Sequence, residues 1–235
     1  MTPARQDALP RVAEALWRSG YAHLPGFLPA PLHRELARRT LALRRTACPP
    51  VSIFRDQAAW RAAALCLPVA RYFLGRKCGM LPNLWAMALL PGRQGERKGA
   101  RGWPPHVDYP GISVMDGPVP VAVALSFWLA LSDTGPDNAC MHVRPRDGGG
   151  RARALPAAAG DLLIWRQDLP HWGGRMTRDA RGPRISMAIE FQDSGWPPLA
   201  APLLDPERPP EFADRIRLIV EQRRKYRHLA APPWT

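Results

Sequence analysis

The chain has 235 residues, 46% hydrophobic and 23% charged, a composition that suits a soluble globular protein with material for a full hydrophobic core. No stretch reaches the roughly 18 apolar residues of a membrane span, and Arg5 and Asp7 interrupt the apolar run that a secretion signal needs, so a cytoplasmic protein with no membrane partner is expected. The formal charge is +13 and only Lys77, Lys98 and Lys225 are lysines, so an arginine-dominated positive field is available to attract anionic ligands.

Leu9, Val12, Ala13, Leu16 and Trp17 repeat at helical spacing and predict an amphipathic helix over residues 5–19, stopped by Gly20. Tyr21–Leu24 reads as a short strand before Pro25-Gly26. Further helices are expected from about residue 31 to 47 and over Gln57–Leu74, where Gly75 follows. The texture then changes. Residues 81–90 read as a strand, followed by a polar loop. Residues 119–131 read as one long buried strand, and 139–143, 161–165 and 184–192 as further strands. Gly135-Pro136-Asp137-Asn138, Gly148-Gly149-Gly150, Gly173-Gly174 and Gly182-Pro183 supply the turns between them. A last helix fits residues 211–229. Short strands at this spacing predict a sandwich or barrel. The expected organisation is one domain, with a helical part over 1–78, a β core over 79–193 and a C-terminal helix within 208–229.

The four cysteines, Cys48, Cys66, Cys78 and Cys140, show no C-x-x-C spacing, which argues for reduced thiols and against a zinc ribbon. Two of the six histidines carry more information. In Trp103-Pro104-Pro105-His106-Val107-Asp108-Tyr109, residues i and i+2 of an extended chain point to one face, so His106 and Asp108 can present an imidazole and a carboxylate together. His171 lies downstream in Leu169-Pro170-His171-Trp172-Gly173-Gly174. Two histidines and one carboxylate that leave other coordination positions open form the facial triad of non-haem Fe(II) oxygenases. Arg184, opening Arg184-Ile185-Ser186, can grip a carboxylate through two parallel hydrogen bonds.

These segments resemble the phytanoyl-CoA dioxygenase family. The resemblance runs through Gly20-Tyr21-Ala22-His23-Leu24-Pro25-Gly26-Phe27-Leu28, His106-Val107-Asp108, Phe127-Trp128-Leu129-Ala130-Leu131-Ser132-Asp133, Gly160-Asp161, His171 and Arg184-Ile185-Ser186. It implies a mainly β fold with flanking helices, built on a double-stranded β-helix (a cupin-like jelly roll). It also implies Fe(II) held by His106, Asp108 and His171, and 2-oxoglutarate gripped by Arg184 with help from Ser186. Asn83, on the strand before the H-x-D, is a further 2-oxoglutarate contact by position. O₂ completes the set, and the implied reaction is hydroxylation or desaturation of a C–H bond with release of succinate and CO₂. Related halogenases have a small residue where Asp108 stands, which favours hydroxylation or desaturation over halogenation here. The segment Asp137–Asp147 departs from the family's usual Asn-Gly and Pro-Gly-Ser-His text, so the substrate does not carry over.

Tyr109, Trp103, Arg97 and Arg146 are the expected substrate contacts. The arginine-rich loops around residues 93–101, 144–153 and 175–181 suggest a small anionic substrate and no obligate protein partner. A nucleic-acid dealkylase of the same chemistry is an alternative, since a basic surface suits phosphates, but no aromatic-rich basic segment supports it. A non-catalytic binding protein on this fold is a third reading.

Overall fold

The computed structural model describes residues 3–46, 48–91, 104–109, 114–115 and 121–225. The N-terminal part contains α1 (Pro3–Ser19), β1 (Tyr21–Leu24), α2 (Ala30–Arg45), a 3₁₀ turn over Pro50–Arg55 and α3 (Gln57–Leu74). Leu9, Val12 and Leu16 are the buried stripe of α1, as their spacing requires. Gly20 ends that helix at φ +85°, a conformation costly for any residue with a Cβ.

The strands that follow are β2 (Cys78–Met80), β3 (Trp85–Leu89), β4 (Val114–Met115), β5 (Val121–Ala122), β6 (Ala124–Ala130), β7 (Met141–Val143), β8 (Arg153–Leu155), β9 (Leu162–Arg166), β10 (His171–Gly173) and β11 (Arg184–Asp193); α4 (Phe212–Lys225) comes last. Strands run β1-β9-β6-β11-β2 in the larger antiparallel sheet, and β3 also pairs with β11. A three-stranded antiparallel sheet, β10-β7-β8, faces it, and β4 and β5 form a separate pair. The architecture is a jelly roll with flanking helices.

Period-two alternation explains both layers of core. In β6, Leu125, Phe127 and Leu129 face the helices, as do Ile185, Met187, Ile189 and Phe191 of β11. The alternate residues Trp128 and Ala130 face the smaller sheet, packing with Met141, Val143, Leu163 and Trp165. Hence β11 turns a second row, Arg184, Ser186, Ala188 and Glu190, into the barrel interior.

Several boundaries differ from the sequence expectation. The strand expected over 81–90 is the shorter β3; β2 precedes that span, and Asn83 lies in the connection between the two. The long strand over 119–131 is divided into β5 and β6 at Val123. Ala139 adopts φ +65° and stands outside β7. The β8 and β10 strands have three residues each, too few for alternation to identify. Among the described residues, no helix is long and apolar enough to cross a membrane.

Gly160-Asp161 locks the N-terminal segment onto the barrel. The buried Asp161 carboxylate accepts hydrogen bonds from the backbone N–H groups of Gly26 (2.8 Å) and Ala158 (2.9 Å) and pairs with His23 Nε2 at 2.7 Å. Gly160 has φ +98°, and a Cβ there would meet the Leu28 carbonyl at 3.0 Å.

Candidate metal centre

The two expected histidine ligands come together by backbone pairing. His106 N–H donates to His171 O at 3.1 Å, and His171 N–H donates to His106 O at 2.9 Å. Asp108 N–H donates to Gln167 O at 3.0 Å, which continues the pairing two residues on. The H-x-D segment therefore lies against β10. His106, Asp108 and His171 each bring a ligand atom to one locus, all within 4.8 Å of one another.

Neighbouring groups fix how each ligand presents itself. His106 Nδ1 faces the Pro104 carbonyl at 3.1 Å, and His171 Nδ1 faces the Leu169 carbonyl at 3.0 Å. A ring nitrogen against a carbonyl carries the proton, which leaves Nε2 of each ring with a free lone pair. Asp108 Oδ2 accepts from Ser126 Oγ at 2.7 Å and Trp165 Nε1 at 3.4 Å. Its Oδ1 lies 3.5 Å from His171 Nε2. Burial holds the His171 imidazole below its usual pKa, with the Asp108 charge opposing, so the neutral ligating form is favoured. His171 is buried and His106 exposed, so the centre opens on the His106 side.

The triad lines a cavity of about 350 Å³ whose walls include Trp85, Met87, Trp128, Met141 and Trp165. Arg184 is at this wall and is buried. It donates from Nη1 to the Ala139 carbonyl at 3.0 Å and from Nη2 toward Met141 Sδ at 3.7 Å, and its guanidinium lies 5.6 Å from the Trp128 ring centre. Desolvation pushes its pKa down to about 10, which still leaves it charged at neutral pH. Its Nε has no partner, nor does the buried Ser186 Oγ two residues on. Among the described residues no carboxylate pairs with Arg184. An unpaired buried cation is a costly arrangement that an incoming carboxylate would relieve.

The other expected contacts are placed differently. Asn83 lines the cavity, but its Nδ2 donates to Tyr109 Oη and to Glu190 Oε2, both at 2.7 Å, and its Oδ1 accepts from Lys225 Nζ at 2.8 Å. Both amide hydrogens are engaged in this arrangement, where the side chain holds Glu190 and Tyr109. Tyr109 is half-buried, and burial followed by the Glu190 charge pushes its pKa up. Arg146 is not at the cavity wall: it donates to Asp168 at 3.2 Å, beside the buried Arg166 that grips the same carboxylate. A paired, half-exposed guanidinium there does not fit the substrate contact expected of it. Trp103 and Arg97 lie outside the described residues, as do Arg93, Lys98 and Arg101.

Ser126, Trp165 and Glu190 were not anticipated from sequence. Ser126 is a polar interruption in an apolar strand, and Glu190 shares its strand face with Arg184, so period-two reading carries a signal for both. Burial, then the Asp108 charge, pushes the Glu190 carboxyl up to about 8.

No protein-family model matches the chain, and no curated protein matches it in sequence. Solved structures do. The non-haem α-ketoglutarate-dependent epimerase SnoN from nogalamycin biosynthesis is 21% identical with a TM-score of 0.63, over 88% of this chain and 96% of that one. A nickel complex of the non-haem monooxygenase ThoJ is 17% identical with a TM-score of 0.66, over 93% and 99%. HygX from Streptomyces hygroscopicus, with nickel and 2-oxoglutarate bound, is 11% identical with a TM-score of 0.60, over 78% and 86%. At these identities the likeness is one of fold, and the fold is that of 2-oxoglutarate-dependent non-haem enzymes.

Proposed function

We propose that this protein is an Fe(II)- and 2-oxoglutarate-dependent oxygenase that hydroxylates a C–H bond of a small molecule. One observation carries the reading: the buried Arg184, with its Nε unpartnered and no carboxylate paired with it among the described residues, stands at the wall of the same cavity as a His-Asp-His cluster with both Nε2 atoms free. The site fits a divalent metal by its donor set and a dicarboxylate by its orphaned cation. The bound metals and 2-oxoglutarate of the structural neighbours support the same assignment. So does the resemblance of residues 20–28 and 127–133 to the phytanoyl-CoA dioxygenase family.

When bound, Fe(II) with O₂ and 2-oxoglutarate supplies the oxidising chemistry, with succinate and CO₂ as products. The chain's own residues do the rest. His106 and His171 present neutral Nε2 lone pairs, held in that tautomer by the Pro104 and Leu169 carbonyls. Asp108 is oriented by Ser126 and Trp165 and supplies the anionic ligand. Arg184, with Ser186 beside it, receives the distal carboxylate of the co-substrate. Trp85, Trp128 and Trp165 give the cavity an apolar wall. The test is succinate release from 2-oxoglutarate under air with Fe(II) supplied. His171→Ala is expected to abolish it, and near-normal release from that variant would contradict the assignment.

A further inference from the structure

Glu190 is needed neither for the metal nor for the co-substrate, yet it lines the same cavity. Its place on β11 defines where. Arg184 and Glu190 face the interior six residues apart, about 20 Å along a strand that rises roughly 3.3 Å per residue. Ser126 stands opposite Glu190 in register, and Ser126 is the residue that holds Asp108. The acid thus lies at the Asp108 end of the cavity. Among the described residues, a dicarboxylate anchored on Arg184 and reaching the triad leaves this end open.

The carboxyl is also held in one orientation. Lys225 Nζ donates to Asn83 Oδ1, and Asn83 Nδ2 donates to Glu190 Oε2, so a relay from α4 fixes one oxygen. The second oxygen accepts no hydrogen bond among the described residues. The cavity wall also carries Trp85, Met87, Trp128 and Trp165, and Asp108 adds a negative group nearby. Glu190 is half-buried, so a ligand entering the cavity can reach that oxygen.

We propose that the primary substrate places a hydrogen-bond-donating group, a hydroxyl or an amine, on the open oxygen of Glu190, with Asn83 and Lys225 as positioning residues for that carboxyl. The inference rests on the assignment of the triad and Arg184 to metal and co-substrate. It also restricts the expected anionic substrate: beside Asp108 and an ionised Glu190, a negative group would be repelled at this end and would have to sit elsewhere.

Three ring fragments of one size separate the alternatives: cyclohexylammonium, cyclohexanol and cyclohexanecarboxylate. Each is titrated into protein loaded with Ni(II) and 2-oxoglutarate, at a pH above the value of about 8 to which the Glu190 carboxyl is pushed so that it is ionised, with affinity read by calorimetry and NMR. The ammonium or the alcohol is expected to bind at least about tenfold more tightly than the carboxylate, the size of one good hydrogen bond to a charged group. Glu190→Gln keeps an acceptor for Asn83 and loses the charge, so it separates the two donors. An amine site loses about tenfold in ammonium affinity, whereas a hydroxyl site keeps the alcohol within about threefold. Glu190→Ala is expected to lose the preference altogether. The proposal is overturned if the carboxylate binds as well as both donors, if neither donor binds, or if the preference survives in Glu190→Ala. Ni(II)-dependent binding of 2-oxoglutarate is measured in parallel. Its absence from the wild type would defeat the oxygenase assignment. Its presence together with failure of the fragment preference would defeat only the Glu190 proposal.

Discussion

Asp108 depends on its neighbours more than on its position in the H-x-D motif. One of its oxygens is tied to Ser126 and Trp165, which turns the other toward His171. Ser126→Ala removes the shorter of these bonds without altering a ligand. Loss of a group that orients a metal ligand typically costs about 10–100-fold in metal affinity or activity, and this range is expected for Fe(II) or Co(II) binding by Ser126→Ala. An unchanged metal affinity would show that Trp165 alone suffices. Arg184 permits a sharper experiment. Its charge is buried with Nε unpaired, so an apolar replacement of similar length removes a desolvation cost while losing the bond to the Ala139 carbonyl. Arg184→Met is therefore expected to melt no lower than wild type in the absence of ligands. With metal present, 2-oxoglutarate should raise the Tm of the wild type and not that of the variant, because only a ligand that binds the folded state stabilises it. A lower ligand-free Tm for Arg184→Met would assign Arg184 a mainly structural task.

At the level of elements, the jelly roll is held to its N-terminal cover by a few polar ties. Asp161 alone joins the turn after β1 to the start of β9 through two backbone N–H groups and His23. Asp161→Ala leaves those donors unmatched and is expected to cost about 3 kcal/mol, or roughly 6–12 °C in Tm for a chain of this size. Thermal unfolding checks this, and a change under about 2 °C would contradict it. The same elements show how far sequence reading reaches. Gln57–Leu74 was legible to the residue because ten of its side chains are buried on a helical stripe and Gly75 ends it. The H-x-D and His171 were legible because local spacing puts His106 and Asp108 on one face. β10 was not, since a three-residue strand is defined by its partners, Met141–Val143 and His106, and not by its own pattern. The bonds that Asn83 makes were not legible for a related reason. Its partners Tyr109, Glu190 and Lys225 are far apart in sequence, and only the closed barrel and α4 bring them together.

For the whole molecule, the +13 charge is the least specific feature and the easiest to misread. The expectation was that arginine-rich loops gather at the cavity. Of these, Arg146 is paired with Asp168, Arg144 lies 6.0 Å from the Trp172 ring centre, and the 93–101 segment lies outside the described residues. Among the described residues, the acidic and basic side chains at the cavity wall are the triad, Arg184 and Glu190. The net field still acts at a distance, where salt screens it with a Debye length of about 8 Å at physiological ionic strength. If the substrate carries a negative group outside the cavity, kcat/KM is expected to fall as ionic strength rises. A salt-independent kcat/KM would mean that the surface charge plays no part in capture.

The central claim is that one cavity holds a metal on His106, Asp108 and His171 and 2-oxoglutarate on Arg184. Anaerobic calorimetric titration of 2-oxoglutarate into Fe(II)-loaded and metal-free protein tests it most directly. The expected result is stoichiometric binding that requires the metal, is lost in His171→Ala, and is weakened at least about tenfold in Arg184→Ala while Fe(II) binding persists. Binding of equal strength with and without metal, or no binding by the Fe(II)-loaded wild type, would contradict it.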